Sequence, residues 1–213
     1  DNGLITRQLA GKQEAGPYYE STNFLFMCAH GFYYWYVPTA SRSFLPYFEI
    51  GAGGAFDVAH VKLMNFGPTV FWTSSCVTSR IDGLQPYNCL SNAFLHAGMN
   101  CYLGGTRSMW GVLFPQPDAR SGEKMGDLMM LYWYGHMCGH LYDHEDPETG
   151  EVMFDVPEHV DTSTGVALML AKNRFIEEEG TDGGDVNDDT YEEVLLHGDP
   201  AFNPYTPNFE GTK

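Results

Sequence analysis

The sequence predicts an α/β protein with a mainly parallel central sheet. Two continuous apolar runs, at residues 23–29 and 69–74, predict buried strands, and the second is rich in β-branched and aromatic residues; residues 100–104 predict a third strand. Helical patterns follow them, at residues 88–99, 121–143 and 162–178. Because strands that alternate with helices favour parallel pairing with helices packed over the sheet, this order predicts an α/β/α sandwich.

The N-terminal elements precede the central strand. Residues 1–22 show no clear period and are interpreted as a lead-in segment, and the first strand at residues 23–29 ends in His30-Gly31. An aromatic cluster at residues 32–36 either lines a substrate cleft or covers the edge of the sheet. The glycine-rich residues 51–54 predict a turn rather than a phosphate loop, because the lysine of that motif is absent. Residues 56–64 predict a short helix.

The central strand at residues 69–74 runs into Ser75 and Cys76. The helix predicted over residues 88–99 has Gly98 as its stop signal, and the third strand at residues 100–104 follows directly. Two neighbouring parallel strands therefore deliver an imidazole and a thiol, from His30 and Cys76, to one edge of the sheet.

The C-terminal half predicts two long helices and two acidic loops. The first helix, residues 121–143, has Ser121 as its N-cap, and the second covers residues 162–178. The acidic loops are residues 143–158 and 177–189, and a short strand or helix follows at residues 190–196. The predicted domain spans residues 23–205, and residues 206–213 form a tail.

Composition excludes several classes of function. The formal net charge is −17, with 28 acidic against 11 basic residues, so the surface repels nucleic acid and attracts basic peptides. No apolar run reaches the length of a membrane span. The first residues, Asp1-Asn2-Gly3, lack Met and a signal-peptide pattern, which predicts a chain shortened either by processing or by the choice of the expressed segment.

Five cysteines leave at least one unpaired within the chain. Cys28 lies inside a strand, and Cys89, Cys101 and Cys138 lie on apolar faces, which is typical of small buried hydrophobic residues. Cys76 differs because it follows a strand and has serines beside it.

A thiol becomes a strong nucleophile when a nearby imidazole favours the thiolate. His30 is therefore the predicted general base and acid for Cys76. The N–H groups of Gly31 and Cys76 would receive the oxyanion of a tetrahedral intermediate, and Gly31 has no side chain to block the carbonyl.

Several short motifs, in their order and spacing, resemble gingipain-type cysteine peptidases of the caspase-like superfamily over residues 23–205. They are His30-Gly31, Ser75-Cys76-Val77-Thr78, Ile81-Asp82-Gly83, Phe94-Leu95-His96-Ala97-Gly98, Cys101-Tyr102-Leu103-Gly104-Gly105-Thr106-Arg107, Trp110-Gly111 and Gly198-Asp199-Pro200-Ala201-Phe202-Asn203-Pro204-Tyr205.

The resemblance implies a three-layer α/β/α sandwich of caspase-like type and a secreted or cell-surface cysteine endopeptidase. It implies Cys76 as nucleophile, His30 as base and acid, and the N–H groups of Gly31 and Cys76 as the oxyanion hole. Further substrate-binding residues are expected after the nucleophile strand and the next one, namely Ser75, Thr106, Arg107 and Trp110.

The resemblance also implies two strands upstream of the His-Gly strand, for which residues 1–22 are too short. An upstream fragment of the same precursor is therefore an expected partner, beside the peptide substrate. The acidic residues that orient the histidine and select Arg or Lys lie upstream in gingipains, so neither is assigned in this chain.

Three alternatives stay open. The fold could serve as an inactive scaffold or binding protein. His136, His140 and His144 would share one face of a continuous helix and could bind zinc as a metal-dependent hydrolase, although no HExxH motif is present. Structural calcium, which gingipains carry, could bind at one of two acidic loops, either residues 143–151 or the loop with Asp182, Asp185, Asn187 and Asp189; otherwise both loops are simply solvated. No cofactor is required for the thiol chemistry.

Overall fold

A computed structural model describes residues 23–27, 29–36, 43–50, 54–109, 125–139, 141–145, 148–149, 152–155, 162–180 and 186–204. The protein is mixed α/β, with helices and a mainly parallel sheet, which is compatible with an α/β/α sandwich. Two compact units are present. The first comprises Asp1–Met109 and Glu193–Gly198, and the second comprises Trp110–Glu192 and Asp199–Lys213.

The described strands are β1 (Phe24–Met27), β2 (Gly31–Tyr36), β3 (Ser43–Ile50), β4 (Gly54–Phe56), β5 (Val70–Thr73), β6 (Cys101–Gly105), β7 (Leu141–Glu145), β8 (Val152–Asp155) and β9 (Val194–Gly198). The described α-helices are α1 (Val58–Val61), α2 (Leu90–His96), α3 (Met125–Cys138), α4 (Thr164–Glu179) and α5 (Val186–Glu193). A 3₁₀ turn covers Pro86–Asn88.

The parallel sheet belongs to the first unit and has the strand order β1-β5-β6-β9. Strands β1, β5 and β6 are parallel, whereas β9 pairs antiparallel with β6. All four residues of β5 are buried. This burial explains its continuous apolar run, since a central parallel strand is covered on both faces. The three strands predicted at residues 23–29, 69–74 and 100–104 are confirmed.

Aromatic rings dominate the core of the first unit. Phe94 of α2 lies with its ring centroid 5.1 Å from that of Phe71 on β5 and 5.4 Å from that of Tyr102 on β6. Helix α2 ends near Gly98, the predicted stop signal. Gly98 adopts φ +112°, a conformation that residues other than glycine rarely adopt. Apolar burial thus fixes α2 on the sheet.

The aromatic cluster after His30 is a strand, which the sequence did not predict. Strands β2, β3 and β4 form an antiparallel sheet, and the glycine-rich turn predicted at residues 51–54 lies outside the described residues except for Gly54, which begins β4. Helix α1 confirms the short helix predicted over residues 56–64, and Asp57 caps it by accepting a hydrogen bond from the N–H of Ala59.

The second unit is organised by contacts between α3 and α4. Trp133 is fully buried and its indole N–H donates to the carbonyl of Thr164 at 3.1 Å. The Arg174 guanidinium lies 4.5 Å from the ring centroid of Tyr132, and both groups bond to Glu178. Helix α4 confirms the helix predicted over residues 162–178.

The helix predicted over residues 121–143 is too long at its C-terminus. Helix α3 ends at Cys138, and Gly139 adopts φ +77°, the left-handed conformation that commonly ends helices. Residues 121–124, with the predicted cap Ser121, lie outside the described residues.

The two acidic loops also contain regular structure. Strands β7 and β8 form an antiparallel hairpin with an irregularity between Tyr142 and His144, where a loop was predicted at residues 143–158. Helix α5 begins at Val186, inside the loop predicted at residues 177–189. Asn187 and Asp189 are acceptable near its start because acidic and short polar side chains favour a helix N-terminus. The short element predicted at residues 190–196 is the end of α5 followed by β9.

Within the part of the chain that is described, no helix is both long and apolar enough to cross a membrane. The described cysteines, Cys76, Cys89, Cys101 and Cys138, are free thiols. Cys89 and Cys101 are buried as predicted, and Cys138 is half-buried; Cys28 lies outside the described residues.

Candidate active site at the carboxyl ends of two parallel strands

Strands β1 and β5 end at the same edge of the sheet. They are parallel and in register, with Met27 opposite Thr73. The N–H of Ser74 donates to the carbonyl of Met27 at 3.1 Å, which extends the ladder one residue past β5. The segments that carry His30 and Cys76 therefore leave the sheet side by side.

The backbone of Gly31 lies directly against the backbone of Cys76. A methyl group on the α-carbon of Gly31 would lie 1.9 Å from the Cys76 carbonyl oxygen and 2.8 Å from the Cys76 nitrogen. Both atoms belong to the main chain, so neither can rotate away. Only glycine fits at this position, and the His30-Gly31 segment touches the cysteine turn.

Ser75 links the ends of β1 and β5 through hydrogen bonds. Its side chain is fully buried. Its hydroxyl oxygen accepts hydrogen bonds from the N–H of Ala29 at 3.3 Å and from the Thr73 hydroxyl at 2.8 Å. Its carbonyl accepts from the Thr78 hydroxyl at 3.0 Å. Ser75, a predicted substrate-binding residue, therefore makes internal contacts and has no exposed surface.

Two backbone N–H groups at the site are not used by the ladders. The N–H of Glu49 donates to the carbonyl of His30 at 2.8 Å, while Gly31 pairs with Phe48. Gly31 and Phe48 therefore form a non-hydrogen-bonded pair, in which the N–H of Gly31 points away from β3. The N–H of Cys76 has no acceptor among the described residues. Such donors can stabilise a developing oxyanion.

The residue after the nucleophile candidate has a strained backbone. Val77 adopts φ 55°, where a β-branched side chain is a genuine outlier. Its N–H donates to the carbonyl of Arg107 at 2.6 Å, and the N–H of Ser79 donates to the carbonyl of Gly105 at 2.9 Å. The end of β6 thus holds the turn in this conformation, and strain of this kind clusters at functional sites.

The Cys76 thiol is half-buried and donates a hydrogen bond to the carbonyl of Met109 at 3.4 Å. His30 is exposed, and its ring centroid lies 5.5 Å from that of Phe32. His30 and Cys76, both within the described residues, share no hydrogen bond in this structure. Proton transfer between them requires the thiol to turn away from Met109.

Thr106 and Arg107 follow β6 beside the cysteine turn. The N–H and the hydroxyl of Thr106 both donate to the carbonyl of Glu193, at 3.0 and 3.2 Å. The Arg107 side chain is exposed, and its carbonyl anchors Val77. Trp110 lies outside the described residues. The structure therefore brings Thr106 and Arg107 to the turn that carries Cys76.

The single helical face predicted for the three zinc-binding histidines is not formed. His136 lies on α3 and His144 on β7, so the histidines do not share one helical face, because Gly139 ends the helix between them. His140 lies outside the described residues. Burial, together with the positive charge of Arg174, lowers the pKa of His136, which favours a neutral packed ring.

The predicted calcium ligands do not lie on one loop. Asp182 and Asp185 fall outside the described residues, whereas Asn187 and Asp189 lie on α5. Within the described ranges, no three His, Cys, Asp or Glu side chains are grouped closely enough to hold a metal ion.

Sequence reasoning missed the roles of Val77 and Met109. A positive φ at valine has no sequence signal, since the residue type disfavours that conformation. The Met109 carbonyl is a backbone group, and its approach to the thiol depends on how the chain folds back after β6. Met109 is buried, and its side chain fills the space above Gly105, where a methyl group would lie 2.2 Å from the Met109 Cγ.

Comparison with known proteins adds no relative: no model of a protein family matches the chain, and no curated protein does.

Proposed function

We propose that this chain is a cysteine endopeptidase of caspase-like fold, with Cys76 as nucleophile and His30 as general base and acid. The observation that carries the proposal is the contact between Gly31 and the Cys76 backbone at the shared end of β1 and β5. It brings a histidine-bearing segment and a half-buried thiol together, with two unused N–H groups beside them.

In the proposed acylation step, His30 accepts the thiol proton and the Cys76 sulfur attacks the substrate carbonyl carbon. The carbonyl oxygen becomes an oxyanion, which the N–H groups of Gly31 and Cys76 stabilise. The intermediate then collapses to a thioester, the carbon–nitrogen bond breaks, and the amine leaves with the proton from His30.

Deacylation repeats the sequence with water as nucleophile. His30 accepts a proton from water as the water oxygen attacks the thioester carbon, and the same N–H groups stabilise the second oxyanion. The carbon–sulfur bond breaks, the acid product leaves, and Cys76 takes back its proton. No metal or cofactor takes part in these steps.

The remaining parts of the proposal follow from charge and from the resemblance. The net charge of −17 attracts basic polypeptides, which are the substrates we favour. Thr106, Arg107 and Trp110 would contact the residue before the cleaved bond. Secretion or surface display, a structural calcium ion and an upstream partner fragment belong to the proposal on the resemblance alone.

A second function, that of an inactive scaffold, is favoured by one observation. The thiol donates its hydrogen bond to the Met109 carbonyl and shares none with His30, so the proposed base does not hold the thiol proton in this structure. Catalytic hydrogen bonds are often long or absent before substrate binds, so this contact is compatible with either function.

A peptide-library cleavage profile separates the two. The chain, together with any segment that precedes Asp1 in its precursor, is incubated with the library as wild type and as Cys76→Ala. We expect cleavage by the wild type only, with closely similar thermal unfolding of the two proteins. Cleavage retained by Cys76→Ala would eliminate the thiol mechanism, and no cleavage by either would favour the scaffold.

A further inference from the structure

The segment after β6 lies against the turn that carries Cys76 and accepts hydrogen bonds from it at three points. The carbonyls of Gly105 and Arg107 accept from backbone N–H groups of the turn, at 2.9 and 2.6 Å. The carbonyl of Met109 accepts from the Cys76 thiol at 3.4 Å. The first two bonds hold the segment beside the turn, so the thiol contact depends on where the backbone of Met109 lies.

The side chain of Met109 packs against Gly105 and is buried. A methyl group on the α-carbon of Gly105 would lie 2.5 Å from the Met109 sulfur, and the three atoms nearest to that methyl group all belong to the Met109 side chain. Gly105 itself is held in the sheet because it pairs with Val194 of β9. Glycine at residue 105 therefore leaves the room that Met109 fills, and this packing sets the position of the Met109 carbonyl.

The contact between the thiol and the Met109 carbonyl is available only to the protonated sulfur. A carbonyl oxygen accepts hydrogen bonds and cannot donate one, so a Cys76 thiolate would lose this contact. Because a thiol is a weak donor, this contact should yield before the two backbone bonds do. Rotation about the Cα–Cβ bond of Cys76 is enough to break it.

We propose that Met109 is a positioning residue that holds the Cys76 thiol in a resting orientation, bonded to the main chain and not to His30. The role rests on the proposed peptidase function, in which the same thiol must pass its proton to His30. The resting contact and the thiolate exclude each other, so the contact is autoinhibitory. A substrate or reagent attacks only the fraction of molecules in which the thiol has turned.

Two substitutions remove the anchor of this contact from opposite sides. Met109→Ala shortens the side chain that fills the space, and Gly105→Ala places a methyl group where that side chain lies. Met109→Leu keeps an apolar side chain of similar volume and should keep the contact. Met99→Ala is the matched control, because Met99 is also a buried methionine of the first unit but packs in the aromatic core.

The measurement is the rate at which iodoacetamide alkylates Cys76 in each native protein, with mass spectrometry to locate the label. We expect Met109→Ala and Gly105→Ala each to raise this rate about 2- to 10-fold, the range for the loss of one hydrogen bond. Met109→Leu and Met99→Ala should match the wild type. The double variant of Met109→Ala and Gly105→Ala should rise no further than either single variant, since both changes remove the same contact.

Unchanged Cys76 rates in Met109→Ala and Gly105→Ala would overturn the proposal, even in a chain that cleaves peptides. Cys101 is fully buried, so an equal rise at Cys101 would also overturn it, because general loosening of the fold would then explain both rates. A rise confined to Cys76 in a chain that cleaves no peptide would support the resting contact while the peptidase proposal fails.

A second readout examines the contact in the wild type, without a change at residue 109. The difference between the infrared spectra of the wild type and Cys76→Ala isolates the S–H stretching band of Cys76. Hydrogen bonding weakens the S–H bond, so a bonded thiol absorbs at a lower frequency than a free one. We expect the bonded frequency in the wild type and the free frequency in Met109→Ala. A free-thiol band in the wild type would refute the contact, whether or not the chain cleaves peptides.

Discussion

The two ends of the parallel sheet differ in how they use their backbone groups. At the amino end, the N–H of Val70 donates to the backbone carbonyl of Asn23 at 2.8 Å. The N–H groups of Asn100 and Cys101 both donate to the backbone carbonyl of Thr69. At the carboxyl end, the N–H of Gly31 points away from its ladder partner. These donors at the amino end are satisfied internally, whereas the N–H groups of Gly31 and Cys76 at the carboxyl end stay available.

The cysteines at the two ends differ in the same way. Cys101 begins β6 and is fully buried, whereas Cys76 follows β5 and is half-buried beside a strained residue. Each end also brings a glycine against a backbone carbonyl, Gly198 against Asn100 and Gly31 against Cys76. Close packing is therefore common to both ends, and the available thiol and N–H groups distinguish the carboxyl end.

The largest expected effect comes from Gly31→Ala. Its methyl group would displace the Cys76 carbonyl by about 1.5 Å to reach ordinary contact, and a misplacement of about 1 Å can cost about 100-fold in rate. We expect kcat/KM for peptide cleavage to fall at least about 100-fold. Gly83→Ala, where a methyl group meets no atom but φ is +70°, is the control for a glycine replaced without a clash; it should lose about 1–2 kcal/mol of stability to backbone strain and retain activity. Equal activities of the two variants would show that the Gly31 contact is not needed.

A smaller effect is expected from removing packing at the amino end. Val70→Ala deletes two methyl groups from a fully buried site and should lower the free energy of unfolding by about 2 kcal/mol. Urea unfolding measures the change. A loss below about 0.5 kcal/mol would mean that β5 is less tightly packed than the structure shows.

The same residue type at the carboxyl end should behave oppositely. Val77→Gly relieves a backbone conformation that costs about 1–3 kcal/mol, and it loses up to about 1 kcal/mol through the flexibility of the unfolded chain. We expect a net gain in stability of about 1 kcal/mol in the same urea assay. Destabilisation comparable to that of Val70→Ala would contradict the strain at Val77.

The smallest effect concerns the link between β9 and the cysteine turn. The His197 ring bonds the Ser79 carbonyl at 3.2 Å, and burial lowers its pKa below the ordinary value of 6.5 despite the opposing effect of this bond. The unfolded chain therefore binds a proton at a higher pH than the folded one, so stability falls as pH drops below about 6.5. Urea midpoints near pH 7.5 and pH 5 should differ less in His197→Gln than in the wild type. An unchanged difference would exclude His197 as a contributor.

The sequence predicted the central features of this comparison and missed its surroundings. Strands β1, β5 and β6 were recognisable because buried parallel strands have continuous apolar runs. The hairpin of β2 and β3 was missed because its aromatic residues also suit a cleft or a covered edge. Strands β7 and β8 were missed because acidic residues within them are typical of loops. Helix α3 was drawn too long because its apolar pattern continues past Gly139.

The sequence predicted only those site residues that directly follow a recognisable strand. His30 and Cys76 follow strands, so parallel pairing places both at one edge. Val77 and Met109 take their positions from a strained turn and from the way the chain folds back after β6. These depend on tertiary pairing, which periodicity does not encode.

The most direct test of the account is the rate at which iodoacetamide alkylates each cysteine in the native protein and in His30→Ala. Burial raises the pKa of the Cys89 thiol and seals Cys101, so both should react slowly in either protein. We expect Cys76 to react fastest in the wild type and at least about tenfold more slowly in His30→Ala, because the imidazole favours the thiolate. A Cys76 rate that does not change when His30 is replaced would contradict the claim that these strand ends form one catalytic pair.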